Sequence, residues 1–382
     1  MKRSHWTVIA LFLIAAIDAN ASPNLSRPQL TDFSSEKRAQ IETTISKFMA
    51  ANSVPGLSAA VVERGEFVWS EGFGMADVKN SVRVTSKTLF RLASVSKPMT
   101  ATGAMELWES GKLDLDAPVQ KYCPAFPQKE WPITTRELLG HLGGIRHYRS
   151  NSDDDPEIGN TKHFDDPITA GLKFFANDPL VAQPGTHFHY STQGYTLIGC
   201  AIEGASGEKY VAYMRKHVFA PAGMASTQAD NPRAAIPDLT HFYHKEKFGK
   251  VVDAHPLDSS YKIPGGGWIS SAEDMARFEV AMLNDKLVKP STRGLMWTSQ
   301  KPSDGSKDNY GLGWGIGETA GVPDIGHDGG QQGTSTNIAI APSEGDGVVI
   351  LVNMDGVDVS ALARDLLKIL LRDTKQDSNQ GR

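Results

Sequence analysis

A serine and a lysine three positions apart are the residues of this chain best suited to chemistry. Ser94 and Lys97 lie in the stretch FRLASVSKPMTATGAMELWESGKLDLD, residues 90–116. In a helix, this spacing places both side chains on one face. A serine hydroxyl becomes a nucleophile when a neighbouring base takes its proton, and a lysine kept partly neutral by burial or nearby cations can be that base. The pair therefore predicts nucleophilic catalysis.

Pro98 indicates where the helix begins. Proline is tolerated in the first turn of a helix but costs about 3 kcal/mol in its interior. We therefore expect a helix over residues 94–110, ended by Gly111. Ser94 would then lie among unpaired backbone amides at the positive end of the helix dipole, which suits a reaction that forms an oxyanion.

The Ser-x-x-Lys pattern is weak evidence by itself because it occurs four times. It begins at Ser34, Ser94, Ser206 and Ser259. Ser34 borders a polar leader, and Ser206 is followed by a glycine at the end of an apolar helical stretch. Ser94 alone has a strand-like segment before it, TLFRLA, and an apolar helix after it. Context therefore selects Ser94.

Two later stretches could supply the missing roles. Tyr190, in FHYSTQGYTLIG (residues 188–199), precedes a small polar pair and a helix. A tyrosine held between cations can act as a base, although a packed aromatic side chain would explain Tyr190 equally well. In IGHDGGQQGTSTNIAIAP (residues 325–342), His327 ends a polar turn, and Gly329 and Gly330 allow close approach of a backbone. Considered alone, His327 would pass for a surface histidine.

The motifs SVSK, HYST and HDGG, in this order, resemble those of the serine β-lactamase and penicillin-binding-protein superfamily. The resemblance is strongest to its class C-like branch, within which it is closest to the mitochondrial serine β-lactamase-like proteins and their bacterial relatives. It spans residues 57–355 or thereabouts, and further stretches carry it: TTRELLGHLGGIRHY, NDPL, PGTHFHYSTQGYTLIG, SSYKIPGGGWISSAEDMARFEVAML and YGLGWGI.

The resemblance implies roles for the matching positions. Ser94 would be the acylated nucleophile, Lys97 and Tyr190 would share the proton transfers, and the amides of Ser94 and Gly330 would form the oxyanion hole. His327 would take the place of a substrate-facing cation. The substrate-binding positions implied by the motifs are Thr192, which stands where most of the superfamily has asparagine, and His327, Asp328 and Gly329.

The third motif departs from the usual Lys-Thr-Gly or His-Thr-Gly, because Asp328 occupies its middle position. Two like charges about 4 Å apart repel by roughly 4 kcal/mol at an effective dielectric near 20. If Asp328 points into the site, its charge disfavours carboxylate substrates and makes β-lactams the least favoured of the hydrolysable classes. The alternative is that Asp328 turns away and pairs with an arginine or a histidine.

These residues predict a secreted serine hydrolase that acts on an ester or peptide bond through an acyl-enzyme and uses no cofactor. A β-lactamase or a D-Ala-D-Ala carboxypeptidase is an alternative. A further alternative, of another class, is a non-catalytic scaffold that self-assembles, because the mitochondrial relative is associated with filaments. Retention of Ser94, Lys97 and Tyr190 together favours catalysis, with a small molecule or peptide as substrate and a homo-oligomer as one expected assembly.

Metal catalysis and the α/β-hydrolase mechanism have little support. His187-x-His189 and His241-x-x-His244 bring no third ligand at a familiar spacing. No Gly-x-Ser-x-Gly elbow occurs. The net charge of −5 implies neither nucleic acid nor an anionic membrane surface as a partner.

The element pattern predicts an α+β protein of the β-lactamase/transpeptidase type. Strand signals lie at both ends of the chain, and we expect an antiparallel sheet flanked by N- and C-terminal helices. The sheet domain would comprise residues 34–116 and 256–375, the inserted, mostly helical domain residues 117–255, and the tail residues 376–382. The acidic stretch 151–166 is expected to be a solvated loop.

The N-terminus predicts export. Lys2 and Arg3 precede a short apolar run at residues 8–17, and Ala19-Asn20-Ala21 offers a cleavage site, so residues 1–21 are expected to be a signal peptide and 22–33 a leader. No membrane span is expected after cleavage, and the protein would be periplasmic or secreted. Of the two cysteines, Cys123 and Cys200, we expect two buried free thiols in preference to a disulfide.

Overall fold

The computed structural model of the chain describes residues 33–150, 152, 155–306 and 308–371. The predicted signal peptide, nearly all of the leader and the tail lie outside these residues. The described strands are β1 (Gly56–Glu63), β2 (Glu66–Asp77), β3 (Val82–Arg83), β4 (Phe90–Arg91), β5 (Gln228–Ala229), β6 (Tyr243–Lys245), β7 (Val251–Asp253), β8 (Trp268–Ser270), β9 (Gly315–Thr319), β10 (Val322–Gln331), β11 (Thr334–Ala341) and β12 (Asp346–Val352).

The described helices surround these strands. They are α1 (Ser35–Asn52), α2 (Ser96–Glu109), α3 (Thr135–Leu139), α4 (Pro167–Phe175), α5 (Thr192–Ser206), α6 (Tyr210–Met214), α7 (Ala220–Ala222), α8 (Ile263–Gly266), α9 (Ala272–Leu283), α10 (Pro290–Met296) and α11 (Val359–Leu370). Short 3₁₀ segments occupy Ala93–Val95 and Val119–Lys121, and a π-helical turn occupies Arg215–Phe219. None of the described helices is both long enough and apolar enough to cross a bilayer.

Strands from the two ends of the chain form one seven-stranded sheet in the order β3-β2-β1-β12-β11-β10-β9. All its pairings are antiparallel. β1 and β2 form a hairpin, and its two-residue turn has positive φ at Arg64 (53°) and Gly65 (79°), which matches the twist of the strands. The N- and C-terminal segments of the sheet are thus joined by the antiparallel pairing of β1 with β12.

Apolar side chains cover both faces of this sheet. On one face, α11 packs on β11 and β12, α1 packs against α11, and Ile41 and Ile45 of α1 are fully buried. On the other face, α9 packs on β1, β2 and β12, and a larger core continues into α2 and α5. The predicted flanking of the sheet by terminal helices is confirmed, whereas the division at residues 117–255 stays a prediction.

Helix boundaries follow local chemistry in the middle of the chain. Thr134 and Glu137 form a capping box at the start of α3. Ser191 caps α5 by accepting the backbone N–H of Gly194, and Gly207 ends that helix with a left-handed φ of 73°. The caps fix α5 so that its first residue faces Ser94.

The prediction of free thiols was wrong, because Cys123 and Cys200 form a disulfide with Cα atoms 5.4 Å apart. The bridge joins α5 to the segment that follows the 3₁₀ turn Val119–Lys121. An added Cβ at Gly204 of α5 would lie 1.7 Å from the carbonyl oxygen of Tyr122. This glycine therefore allows the close approach that brings the two sulfurs together.

Part of the acidic stretch is not the solvated loop that was predicted. Glu157 is buried and accepts hydrogen bonds from Arg146 and from the amide of Gln193. Asn160 is also buried, and its side-chain amide donates to the carbonyl of Asp258. These contacts hold the segment around Ile158 in place, because the carboxylate of Glu157 pairs with the guanidinium of Arg146.

Candidate active site

Ser94 lies in a sharp turn between β4 and α2. It occupies the 3₁₀ segment Ala93–Val95, and α2 begins directly afterwards at Ser96. Ala93 has a φ of 47°, in the left-handed region that costs a non-glycine residue roughly 1 kcal/mol or more. This turn leaves Ser94 partly exposed, while Ala93 and Val95 on either side are buried.

Lys97 is fully buried, and three oxygens surround its amine. Its Nζ lies 2.9 Å from the Oγ of Ser94, 3.2 Å from the Oγ1 of Thr192 and 2.8 Å from the carbonyl oxygen of Gly265. The carbonyl can only accept a hydrogen bond, whereas a hydroxyl can donate one. A neutral amine can therefore donate to Gly265 and Thr192 and use its lone pair to accept the proton of Ser94.

The surroundings of Lys97 favour this neutral form. Burial lowers the pKa of Lys97 well below its ordinary value of 10.5, and the nearby charge of Lys262 lowers this pKa further. Asp328 opposes the shift only as the weakest of the three influences. Lys97 thus combines a lowered pKa with a position within hydrogen-bond distance of the serine, as a base would need.

Tyr190 lies beside Ser94 and Lys97, but its surroundings favour the protonated phenol. The Nζ of Lys97 lies 4.7 Å from the centroid of the Tyr190 ring. Although part of the side chain remains exposed, burial raises the pKa of Tyr190 well above 10.0, and its hydrogen bond with Ser94 only partly offsets this. The prediction of a tyrosine that acts as a base by itself therefore lacks electrostatic support, because the phenol keeps its proton.

Thr192 is held at the first turn of α5. Its backbone N–H donates to the Nδ1 of His147 over 3.2 Å, while its hydroxyl contacts Lys97. Since Nδ1 accepts this bond, the proton of a neutral His147 is on Nε2. Burial, the largest influence, lowers the pKa of His147 to about 4. Sequence reasoning missed His147, which lines the cavity beside Ser94.

Gly329 and Gly330 bring β10 against the nucleophile turn. An added Cβ at Gly329 would lie 2.5 Å from the carbonyl oxygen of Leu92 and 3.0 Å from the backbone nitrogen of Ser94. Gly330 lines the same cavity as Ser94, and an added Cβ there would meet nothing within 4 Å. Because β10 pairs with β9 only as far as Gly326, Gly330 lies beyond the end of that pairing. The assignment of the Gly330 amide to an oxyanion hole stays a prediction.

His327 was predicted to end a polar turn and to provide a cation, but it lies within β10 and is buried. Its Nδ1 contacts the carbonyl of Asp328, and its Nε2 lies 2.9 Å from the hydroxyl of Tyr310. Burial, the largest influence, lowers the pKa of His327 to about 4. At neutral pH, the His327 ring is therefore uncharged and does not supply the predicted cation.

Asp328 lies on the opposite face of the sheet from Ser94. Side chains alternate along a strand, and the position of Gly329 faces the Ser94 turn, so Asp328 points away. Its side chain is exposed and borders surfaces formed with Ser360 of α11. Water screens such a charge. The predicted repulsion of carboxylate substrates by Asp328 therefore has no geometric basis.

A cavity of about 340 Å³ opens at Ser94. Thr192, Gly265 and Gly330 line it together with residues that sequence reasoning did not assign. These are His147, Tyr148, Ile158, His244, Lys262, Gly266, Gln331, Gln332, Asp355 and Gly356. Few signals in the sequence indicate these residues, because they come from six separate segments that only the fold brings together.

The two histidine pairs considered as metal ligands do not converge. His187 and His189 lie in a loop with their ring centroids 6.3 Å apart. His241 contacts Asp253, and His244 contacts Asp355. Within residues 33–150, 152, 155–306 and 308–371, no three histidine, cysteine or acidic side chains are grouped as a metal site would need.

Comparisons with known proteins agree with this geometry. The Beta-lactamase family model matches residues 41–372. The human serine beta-lactamase-like protein LACTB, mitochondrial, is 32% identical over 85% of this chain and 77% of its own length. Penicillin-binding protein 4* of Bacillus subtilis (strain 168) is 28% identical over 78% of this chain and 68% of its own length.

The fold has solved counterparts as well. The octameric penicillin-binding protein homologue from Pyrococcus abyssi is 29% identical, with a TM-score of 0.76 over 87% of this chain and 77% of that chain. The α+β fold of the β-lactamase/transpeptidase type is therefore confirmed, as is the resemblance carried by the three motifs.

Proposed function

The chain belongs to the Beta-lactamase family, and we propose that it is a serine hydrolase that works through a covalent acyl-enzyme at Ser94. The observation that carries the proposal is the 2.9 Å contact between the Nζ of Lys97 and the Oγ of Ser94, together with the lowered pKa of Lys97. A buried neutral amine at this distance converts a weak nucleophile into an effective one.

Acylation begins when the proton of Ser94 passes to Nζ of Lys97. The Oγ of Ser94 forms a bond to the substrate carbonyl carbon, and the carbonyl π electrons move to the oxygen, where the amides of Ser94 and Gly330 are proposed to stabilise the negative charge. When this intermediate collapses, the bond to the leaving group breaks. Tyr190, which keeps its proton, donates it to the leaving group and is reprotonated from Lys97.

Deacylation reverses the roles, with water in place of the leaving group. The water loses a proton towards the Tyr190 and Lys97 pair as its oxygen bonds to the acyl carbon, and the bond to the Oγ of Ser94 then breaks. Ser94 recovers its proton, and a carboxylic acid departs. The hydroxyl of Thr192 and the carbonyl of Gly265 hold Nζ in position throughout.

We propose that the protein acts outside the cytoplasm, in a periplasm or after secretion. The N-terminal pattern of residues 1–21 and the Cys123–Cys200 disulfide support this, because disulfides persist in oxidising compartments. LACTB relatives are named as mitochondrial, so the proposal depends on features of this chain and not on theirs.

Labelling with a fluorophosphonate and with a fluorescent penicillin tests the acyl-enzyme. The wild-type protein should take up the fluorophosphonate in a 1:1 ratio, and Ser94→Ala should take up none, because the probe bonds to the serine oxygen. A panel of esters, peptides and β-lactams then ranks the substrates by kcat/KM. Equal labelling of the wild type and of Ser94→Ala would contradict the proposal.

A further inference from the structure

His141 follows helix α3 in a backbone conformation that most residues other than glycine avoid. Its φ is 58°, in the left-handed region, and only 2% of its surface is exposed. A residue held in this region costs stability that the surrounding structure must offset, and such residues cluster at functional sites. His141 does not line the cavity at Ser94, so any role in the reaction must be exerted through a neighbour.

His141 is bonded to the chain on both sides of Tyr190. Its carbonyl oxygen accepts the backbone N–H of His189 over 2.8 Å, and its ring nitrogen Nδ1 accepts the backbone N–H of Ser191 over 3.1 Å. The ring also packs against the Tyr190 ring, with the two centroids 4.3 Å apart. One residue thus holds the position before the tyrosine, the position after it and one side of its ring.

The other ring nitrogen of His141 shows why packing alone does not account for a histidine here. Because Nδ1 accepts a hydrogen bond, the proton of the neutral ring is on Nε2. Within the described part of the chain, no group accepts a hydrogen bond from Nε2, and the rings of Tyr195 and Tyr310 lie 5.2 Å and 4.7 Å away, centroid to centroid. A buried donor without a partner lowers stability. An apolar ring would avoid this cost, so what the histidine adds is the acceptor at Nδ1.

The position of Tyr190 matters because the proposed reaction needs its proton at one place. Its hydroxyl is hydrogen-bonded to Ser94, and its ring centroid lies 4.7 Å from the Nζ of Lys97. A general acid acts only when it is within hydrogen-bond reach of the departing atom, so a small shift of the segment around Tyr190 would lose the transfer. The two backbone bonds to His141 oppose such a shift.

We propose that His141 is a positioning residue that holds Tyr190 within reach of the leaving group. This inference rests on the proposed hydrolase function, in which Tyr190 gives its proton to the departing oxygen or nitrogen as the bond to the acyl carbon breaks. His141 takes no proton itself and acts only through Tyr190. Its loss therefore weakens the reaction most when the leaving group is a strong base and depends most on protonation.

Two butyrate esters that differ only in the leaving group test this role. The 4-nitrophenolate ion is a weaker base than the phenolate of phenyl butyrate and depends less on protonation by Tyr190. His141→Phe keeps a ring but removes the acceptor, so its kcat/KM for phenyl butyrate should fall about 10-fold further than that for 4-nitrophenyl butyrate. His141→Asn should keep the ratio of the two values within about threefold of the wild type, because its Oδ1 can accept the N–H of Ser191 and asparagine tolerates a left-handed φ.

A Tyr190→Phe background separates positioning from a general disturbance of the fold. In that background, His141→Phe should leave the ratio of the two kcat/KM values within about twofold, because the acid that His141 holds is already absent. The proposal is overturned by a parallel loss for both esters in the single variant, or by an equal change of the ratio when Tyr190 has already been replaced. Either result would mean that His141 only supports the fold.

A second variant decides the matter if a thermal melt shows that His141→Phe does not fold. His141→Gly relieves the φ of 58° and also removes the acceptor, so it should shift the ratio in the same direction, and an unchanged ratio overturns the proposal. A failure of the hydrolase proposal has a different signature, namely turnover that Ser94→Ala does not reduce, and that result would overturn this inference as well.

Discussion

The protonation states of the side chains in this site determine which of them can accept a proton and which can donate one. Burial favours the uncharged form of each group, which supports the proposed roles of Lys97 as base and of Tyr190 as acid. His141 extends the pattern, because burial lowers its pKa well below 6.5. Its ring lies 4.3 Å from the Tyr190 ring, and its Nδ1 accepts the N–H of Ser191. Burial therefore favours the neutral imidazole of His141 beside Tyr190.

This division predicts the pH dependence of the reaction with a neutral ester. Protonated Lys97 cannot accept the proton of Ser94, so kcat/KM should fall as the pH drops through the Lys97 pKa, which lies well below 10.5. Tyr190→Phe should keep this acidic limb but lower kcat/KM by roughly 10²- to 10³-fold, because only the donor to the leaving group is lost. Lys97→Arg should be inactive at every accessible pH, since a guanidinium stays charged.

The pH–rate profiles of the wild type and Tyr190→Phe, measured with 4-nitrophenyl butyrate, check this prediction. Thermal melts of each variant serve as the control for folding. If the acidic limb disappeared in Tyr190→Phe, the phenol would be the titrating base, and the assignment of that role to Lys97 would be wrong.

At the scale of elements, the site is the junction of β10 with the turn before α2. The hydroxyl of Thr336 on β11 donates a hydrogen bond to the carbonyl of Leu92. The backbone of Gly329 lies so close to the backbone nitrogen of Ser94 that a Cβ at this position would be only 3.0 Å from it. The strand thus approaches the turn more closely than any side chain at position 329 would allow. This contact sets the distance between the Ser94 turn and the Gly330 amide.

Gly329→Ala should therefore damage catalysis more than its single methyl group suggests. The added Cβ would lie 2.5 Å from both the Leu92 carbonyl and the Thr336 hydroxyl, so β10 or the turn must move. We expect kcat/KM to fall about 10²-fold, the size of a lost oxyanion contact, and the melting temperature to fall by a few degrees. Gly330→Ala is the matched control for stability, because its Cβ would be in open space. Equal melting temperatures and full activity in Gly329→Ala would refute this account.

Local patterns predicted the elements well, and pairings distant in sequence were the part that they could not predict. The β1–β2 hairpin and the Thr134 capping box depend on neighbours within a few residues, and both are present. The strand over His327 was missed, because three glycines lower its local β propensity and only pairing with β11 makes it a strand.

The site shows the same contrast. Ser94 and Lys97 are three positions apart, so one helical turn brings them together and the sequence was sufficient. The role of Asp328 depends on which face of the sheet its side chain takes, and that of His327 depends on its burial. Neither follows from the type of residue alone.

For the molecule as a whole, the disulfide connects the site to the stability of the fold. Cys200 lies in α5, whose first residue, Thr192, contacts Lys97, and Cys123 lies 77 positions earlier. Closing a loop of that length restricts the unfolded chain and contributes about 4 kcal/mol in the chain-entropy account. The bridge therefore stabilises the fold mainly through the unfolded state, with the site held by local contacts.

Removing both sulfurs should lower stability while the chemistry continues. We expect Cys123→Ala/Cys200→Ala to lose about 2–5 kcal/mol of unfolding free energy and to melt roughly 5 °C or more below the oxidised wild type. Its kcat/KM at low temperature should stay within about threefold, because neither cysteine contacts Ser94, Lys97 or Tyr190. Urea unfolding of the oxidised wild type, the reduced wild type and the double variant checks this, with the reduced protein separating the bond from the lost side-chain packing. Identical midpoints in all three samples would mean that the bridge does not form in the folded protein or that it constrains nothing, and the export proposed for this chain would lose its structural support.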